Sequence, residues 1–242
     1  MSRILASELL KIRAARQLNG LLIAVVLLVA AFAFANHGIA SSAQGRRSLL
    51  LFGERGDAIA FIGGVIGVSA EYRDGILSRT LLTTPSRTRV FAAKILVHGA
   101  VLGLILGVGA ALSALALTIL LVPGHQVLVL PAQEVAQILG GTVGDFMLFG
   151  AMGVGFGTFV RNQTVAVAIA IVWFYLAEYL LTVAAPSLGI YLPGVAANAV
   201  VGVQPQLEDG NLAVRAGIVL IVYTAGLTIA GLSFFRNRDI LT

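Results

Sequence analysis

Residues 91–122 carry one charged side chain, Lys94, and no proline. A helix needs about 20 mostly apolar residues to cross the hydrocarbon core of a bilayer. This stretch is long enough to cross it even when tilted. Similar apolar stretches occur at residues 18–35, 57–70, 135–160, 164–185 and 213–235. Together they predict an all-α integral membrane protein with six transmembrane helices in a single domain, residues 1–242. The segment at 57–70 is the shortest, because Glu54, Arg55 and Asp57 interrupt its upstream end; a backward extension through Ser48–Phe52 would lengthen it.

Composition agrees with lipid as the solvent. The chain is 58% hydrophobic and 11% charged, whereas a soluble domain is about 45–50% apolar and about 25% charged. Its pI of 10.1 would point to nucleic acid in a soluble protein, but the basic residues here cluster at the ends of apolar stretches. With both termini cytoplasmic, twelve of the sixteen basic residues fall inside; Arg46, Arg47, Arg55 and Arg215 fall outside. That asymmetry is what the positive-inside rule asks of six spans. Ala33-Phe34-Ala35 matches a signal-peptidase site, but the charged leader is long and five spans follow, so an uncleaved first helix is the preferred reading.

Residues 3–17 read as a short helix at the cytoplasmic membrane surface, with Leu5, Leu9 and Ile12 on one face and Arg3, Ser7 and Lys11 on another. Glycines recur at fourfold spacing: Gly63 and Gly67, then Gly99, Gly103 and Gly107, then Gly153 and Gly157. Small-xxx-small stripes let helix backbones approach closely in lipid, where apolar burial gives no drive for association. They predict tight packing, within one subunit or at a seam between two.

Asp145 and Glu178 fall inside apolar stretches, and a carboxylate near mid-bilayer costs about 2.5–3.5 kcal/mol on insertion scales. Glu178 stands among Trp173, Tyr175 and Tyr179. Two readings remain open for Asp145, Trp173, Glu178 and Tyr179: the wall of a substrate path, or an interfacial and structural cluster. The chain has no cysteine, which excludes disulfides and thiolate metal sites. Its histidines, at 37, 98 and 125, are scattered, so no metal is expected, and His98 reads as a packed or interfacial side chain. No G-x-x-x-x-G-K-[ST] phosphate loop and no familiar hydrolase constellation occurs, so neither an ATPase nor an enzyme site is expected on this chain.

The segment between the second and third stretches is the most informative. Asp74 is positioned to cap a short helix carrying Ile76, Leu77, Thr80 and Leu81, which Pro85 would end. Residues 74–82 therefore predict a short amphipathic helix, held at the membrane surface or seated in a partner's groove. The run Glu71-Tyr72-Arg73-x-Gly75-Ile76-Leu77, followed by Leu81-Leu82-x-x-Pro85-x-Arg87 and Lys94, resembles the membrane subunits of bacterial type-2 ABC transporters, the permeases of drug, antibiotic-resistance and sodium exporters. The resemblance extends to the 3–17 surface helix, a proline-bearing outer segment around Pro186 to Pro193, and the ending Phe235-Arg236-x-Arg238-Asp239. It departs at Asp74-Gly75-Ile76, where Gly-Thr is commoner.

The resemblance implies a permease in the bacterial cytoplasmic membrane that pairs with a second permease, identical or not, and with two copies of a separate ATP-binding subunit. ATP and magnesium would sit on that partner, leaving this chain without a cofactor. Residues 3–17 would be an elbow helix, residues 74–82 the coupling helix, and the run 194–203 a re-entrant or interfacial outer helix before the last span. Glu71 and Arg73 become candidates for gate or interface ion pairs, with ordinary helix-end charge as the alternative. The largely apolar interior leans towards export of a hydrophobic or amphipathic substrate. The alternatives are a stand-alone proton- or ion-linked carrier using Asp145 and Glu178, and an ABC-type anchor used for signalling.

Overall fold

The computed structural model describes residues 2–14, 17–35, 43–51, 56–76, 80, 82, 86–121, 131–160, 162–202 and 211–237. Among these the chain is all-helical: α1 (Ser2–Ala14), α2 (Gln17–Ala35), α3 (Ala43–Leu51), α4 (Asp57–Arg73), α5 (Arg87–Leu121), α6 (Ala132–Val160), α7 (Gln163–Ala184), α8 (Pro193–Val200) and α9 (Leu212–Asn237). A 3-10 turn, Pro186–Tyr191, joins α7 to α8. Wider π-helical turns interrupt α5 at Ile95–Val101 and α7 at Trp173–Ala177.

Five helices, α2, α5, α6, α7 and α9, are long and apolar enough to cross a membrane, which makes this a multi-pass membrane protein. The expected second span falls short of that length. Helix α4 has 17 residues, and at 1.5 Å per residue it reaches about 26 Å, less than a core of about 30 Å. Its possible upstream extension through Ser48–Phe52 falls partly outside the described residues. Residues 43–51 make a separate helix, α3, whose buried Leu49 packs with Ala33 of α2 and with Leu117 and Leu121 of α5.

The contacts nevertheless give α4 a regular place. Gly56 approaches Val25 of α2, and Gly63 approaches Leu21, so α4 runs antiparallel to α2. Gly67 meets His98 and Gly63 meets Leu102, making it antiparallel to α5 as well. Phe61 packs edge-on to Phe174, and the Arg73 guanidinium donates to Gln163 Oε1 at 3.0 Å, so α7 is also antiparallel. With α6 it is parallel, since Phe61 faces Gly153 and Val65 faces Gly157. Helices α2, α4, α5, α6, α7 and α9 thus alternate in direction. One end of the bundle gathers α1 with Lys11, Arg73, Arg87, Arg89, Lys94 and Arg236. The opposite end carries Arg47 and Arg215.

Helix α6 is the axis of the bundle. Its most apolar window is 61% buried, against 17% for those of α2, α7 and α9. Glycine makes this possible. A Cβ on Gly153 would strike the carbonyl oxygen of Phe61, and one on Gly64 would strike that of Gly150, so α4 and α6 touch backbone to backbone. All seven glycines of the fourfold stripes, Gly63, Gly67, Gly99, Gly103, Gly107, Gly153 and Gly157, face a neighbouring helix of the same chain. The interlayer is filled by Phe146, Phe149, Met152 and Leu106, each almost wholly buried.

Candidate functional site

Two groups of buried ionisable residues stand out, one at each end of the bundle. At the basic end, Glu8 and Lys11 of α1 meet Glu71 of α4 and Lys94 and His98 of α5. Lys94 and Glu8 have no solvent exposure at all. The Lys94 ammonium lies 2.5 Å from Glu71 Oε2 and 3.3 Å from Glu8 Oε2. Lys11 lies 2.6 Å from Glu8 Oε1 and 2.9 Å from Glu71 Oε1. Two carboxylates and two ammonium groups therefore alternate around a ring, and each cation bridges both anions. His98 stands one helical turn beyond Lys94, its Nδ1 3.5 Å from Glu8 Oε2.

The electrostatics follow from this ring. Burial by itself would push the Glu8 carboxyl up, but the charges of Lys94 and Lys11 outweigh it and hold Glu8 below its usual range. Burial would pull Lys11 down, but its bonds to Glu8 and Glu71 outweigh that and raise it. Both stay charged in the folded protein. A buried ion network of this kind adds little net stability compared with apolar packing, but removing one member leaves an uncompensated charge. Its clear consequence is mechanical: α1, the C-terminal end of α4 and the first turns of α5 are tied into one unit. The π turn Ile95–Val101 lies next to the ring, and such turns concentrate at functional sites. A cavity of about 240 Å³ opens beside it, lined by Lys11, Gln17, Glu71 and His98 with Leu18 and Leu21.

The chain between α4 and α5 leaves from this unit. Of the short helix expected over 74–82, the described residues Ile76, Thr80 and Leu82 are helical. Asp74 ends α4, its backbone N–H bonded to the Ala70 carbonyl at 2.9 Å. Its carboxylate takes the Arg73 guanidinium at 2.9 Å in an exposed pair. Gly75 follows with φ of 65°, a left-handed conformation that glycine alone adopts at no steric cost. The Thr80 hydroxyl donates to the Ile76 carbonyl at 3.0 Å, and Leu82 is 85% exposed. Leu77, Leu81 and Pro85 lie outside the described residues. Tyr72 packs beside Val90, Phe91 and Phe235, and the Arg87 guanidinium donates to the Arg236 carbonyl at 2.9 Å, tying the start of α5 to the end of α9.

At the opposite end, the π turn of α7 turns Trp173 towards Glu178. The indole Nε1 donates to Glu178 Oε1 at 2.9 Å, and the Gly194 N–H donates to Oε2 at 3.0 Å. Pro193 opens α8 and has no N–H, so Gly194 offers the first free donor of that helix. Glu178 caps the positive end of α8 from the side of α7. A Cβ on Gly194 would meet Oε2, so a larger residue there would require the carboxylate to shift. A cavity of about 280 Å³ borders Glu178, with Asp57, Phe32, Phe174, Tyr175, Tyr179 and Asn198 on its walls.

The structure thus brings Glu178 and Tyr179 to one cavity, with Trp173 bonded to Glu178, but Asp145 is not on its walls. That residue is buried in α6, with Oδ2 lacking a hydrogen-bond partner among the described residues and with Asp57 within electrostatic reach. Sequence reasoning named Glu71 and set Lys94 in the family pattern, but it missed the ring. The available signal was Glu8, the acid of the first fourteen residues, three positions from Lys11 and sharing a helix face with it. Among the described residues, no group of three histidine or acidic side chains is placed to hold a metal ion. In comparisons with known proteins, no family model and no curated protein matches the chain.

Proposed function

We propose that this chain is the membrane subunit of an ATP-driven transporter of the type-2 ABC class, moving an amphipathic or hydrophobic solute outward with a separate ATPase as its engine. The observation that carries the reading is the buried ring of Glu8, Lys11, Glu71 and Lys94. It joins α1 to the two helices that flank the 74–86 segment. In this reading α1 is the elbow helix, residues 74–82 are the coupling helix, and the basic end faces the cytoplasm. A push on the segment would move α1, α4 and α5 together, because the ring cannot shear without stranding a buried charge. Rigid-body displacement of packed helices is a familiar route by which a nucleotide bound elsewhere biases two states.

Three further features support it. The alternating directions of α4 and its neighbours fit α4 as a sixth crossing element, completed by its flanking residues, with both termini on one side. The exposed apolar surface of Ile76 and Leu82 suits a peg in a partner's groove. The 3-10 turn and α8 fit an outer interfacial segment held by Glu178. Co-purification tests the reading. The wild-type chain should bring down a P-loop ATPase, encoded beside its own gene. Leu77→Asp, Leu81→Asp and Leu82→Asp should each lose that ATPase while α-helical content and thermal stability in detergent stay unchanged. Variants that keep the ATPase and transport normally would overturn the assignment of the segment.

Asp145 supports a second reading, a proton-linked carrier, because its unpartnered buried oxygen is what a proton site needs. Proton-driven flux in ATP-free proteoliposomes, abolished by Asp145→Asn, would favour it.

A further inference from the structure

The cavity of about 240 Å³ beside the basic ring changes character along its length. One end carries Lys11, Glu71 and Asp74; the other reaches Leu21, Gly63 and Leu102. Gly63 precedes Glu71 by eight residues in α4, so the wall turns from charged to apolar over about 12 Å. Helices α2 and α5 repeat the gradient, from Gln17 to Leu21 and from His98 to Leu102. The charged end lies where the apolar helices end, at the level of lipid headgroups, and the apolar end points into the bilayer.

Two polar groups on these walls are left over by the protein. Lys11 gives donors to Glu8 and Glu71; its third has no partner among the described residues, and its side chain is 32% exposed. His98 is 6% exposed, and neither ring nitrogen makes a hydrogen bond to a described residue. Glu8 Oε2, at 3.5 Å from Nδ1, is too distant for a good one. A buried polar group without a partner calls for an explanation. The charges around the cavity cancel, Lys11 and Lys94 against Glu8 and Glu71, and Arg73 against Asp74. A ligand with a net charge would find no uncompensated partner among the described residues.

We propose that this cavity holds the headgroup and neck of a zwitterionic phospholipid with a primary ammonium, a phosphatidylethanolamine, wedged between the α1–α2 corner and helices α4 and α5. Its phosphate takes the spare Lys11 donor, and its ammonium donates to Asp74 at the exposed rim. An ester carbonyl accepts from the His98 imidazole, which offers an N–H in either charge state. One acyl chain begins along Leu18, Leu21 and Leu102. The volume suits the glycerol neck and the start of that chain, and the remainder of the lipid lies in the bilayer. A soluble zwitterion would match the rim but leave the apolar end empty, which decides for a lipid. The site lies against the ring, so a bound lipid braces the same three helices. It goes beyond the transport reading and requires neither an ATPase nor a solute.

The test titrates the delipidated full chain in detergent with dioleoyl phosphatidylethanolamine and counts bound lipid by native mass spectrometry. One saturable site is expected. It should bind this lipid on the order of tenfold more tightly than dioleoyl phosphatidylglycerol, dioleoyl phosphatidylcholine or the dialkyl ether analogue of phosphatidylethanolamine. The first carries a net charge, the second has no N–H on its ammonium, and the third has no ester carbonyl. Asp74→Ala should erase the preference over phosphatidylcholine, and His98→Phe the preference over the ether lipid. If His98→Phe does not fold, the ether lipid on the wild-type chain decides the imidazole contact. Equal affinity for any of the three comparison lipids would overturn the proposal. So would preferences unchanged in both variants, or displacement by soluble glycerophosphoethanolamine at matched concentration. Loss of the ATPase from Leu82→Asp leaves this titration untouched, so failure of the coupling reading and failure of the lipid site are separable.

Discussion

The two ends of the bundle bury the same chemistry and use it differently. At the basic end, Glu8 and Glu71 are saturated by Lys11 and Lys94, and the four side chains bridge three helices. At the opposite end, Glu178 is held by an indole and by the first free N–H of α8, and Asp145 keeps an oxygen with no partner. The first arrangement is closed: nothing needs to enter for its charges to be balanced, so its role is to bind elements together. The second is open, because Glu178 takes only neutral donors and no described cation pairs with it or with Asp145. Buried acids at membrane depth are costly wherever they stand. What separates a fastening from a site is whether the compensating charge belongs to the chain.

The largest effect that tests this contrast comes from Lys94. Lys94→Met keeps the volume and leaves two buried carboxylates sharing Lys11. Breaking a buried pair by removing one partner costs about 3–5 kcal/mol, so the thermal midpoint in detergent should fall markedly. Adding Glu8→Gln and Glu71→Gln should restore most of the loss, since the stranded charges go with it. If Lys94→Met behaves like a surface substitution, within about 0.5 kcal/mol, the ring is not a fastening and the comparison fails.

Glu178 should give a smaller effect, split by the choice of replacement. Hydrogen bonds to a charged group contribute about 1.5–3 kcal/mol each when lost, so Glu178→Ala should release α8 and lower stability by about that amount. Glu178→Gln retains the acceptor and should cost well under half as much. Hydrogen exchange of the α8 amides reads the release directly. Equal losses in the two variants would mean that the charge, rather than its hydrogen bonds, holds this end together.

How much of this was legible beforehand depended on whether a feature was local. Period and length of the apolar runs set α2, α5, α6, α7 and α9 within a few residues, because each run carries its own information. The glycine stripes at Gly99, Gly103 and Gly107 could be read as close packing for the same reason. Helix α4 was harder. Its 17 residues fall short of the length that marks the other five, and what sets its extent is burial among α2, α5, α6 and α7 rather than an apolar run of its own. Asp74 reads as the opening of a helix because it stands before Gly75 and an apolar run; that it also closes α4 was not legible, because α4 runs past its apolar stretch to Arg73. Of the ring only the local Glu8–Lys11 pair was legible, since Glu71 and Lys94 join it by tertiary contact alone.

The smallest effect is in pH, and it belongs to the basic end. Burial works against the Glu8 charge, but Lys94 and Lys11 outweigh it and depress its folded value below the usual 4.5. A depressed carboxylate contributes stability above its unfolded pKa and loses it as pH falls through the folded one. Burial likewise opposes the Lys11 charge, but Glu8 and Glu71 outweigh it and raise its folded value above 10.5. Its contribution is present below the unfolded pKa and is lost as pH rises through the folded one. The contributions of Glu8 and Lys11 should therefore stay constant between the unfolded values of 4.5 and 10.5, with an acid limb below 4.5 that Glu8→Gln reduces. Thermal midpoints of the two proteins across that range and below it provide the measurement. Since Glu8 is fully buried, its acid limb should resist salt, whereas a limb due to exposed pairs such as Arg73 with Asp74 would weaken as salt screens it. An acid limb that is erased by salt, or that survives Glu8→Gln, would move the pH dependence off the ring and onto the surface, and the closed character assigned to this end would lose its second support.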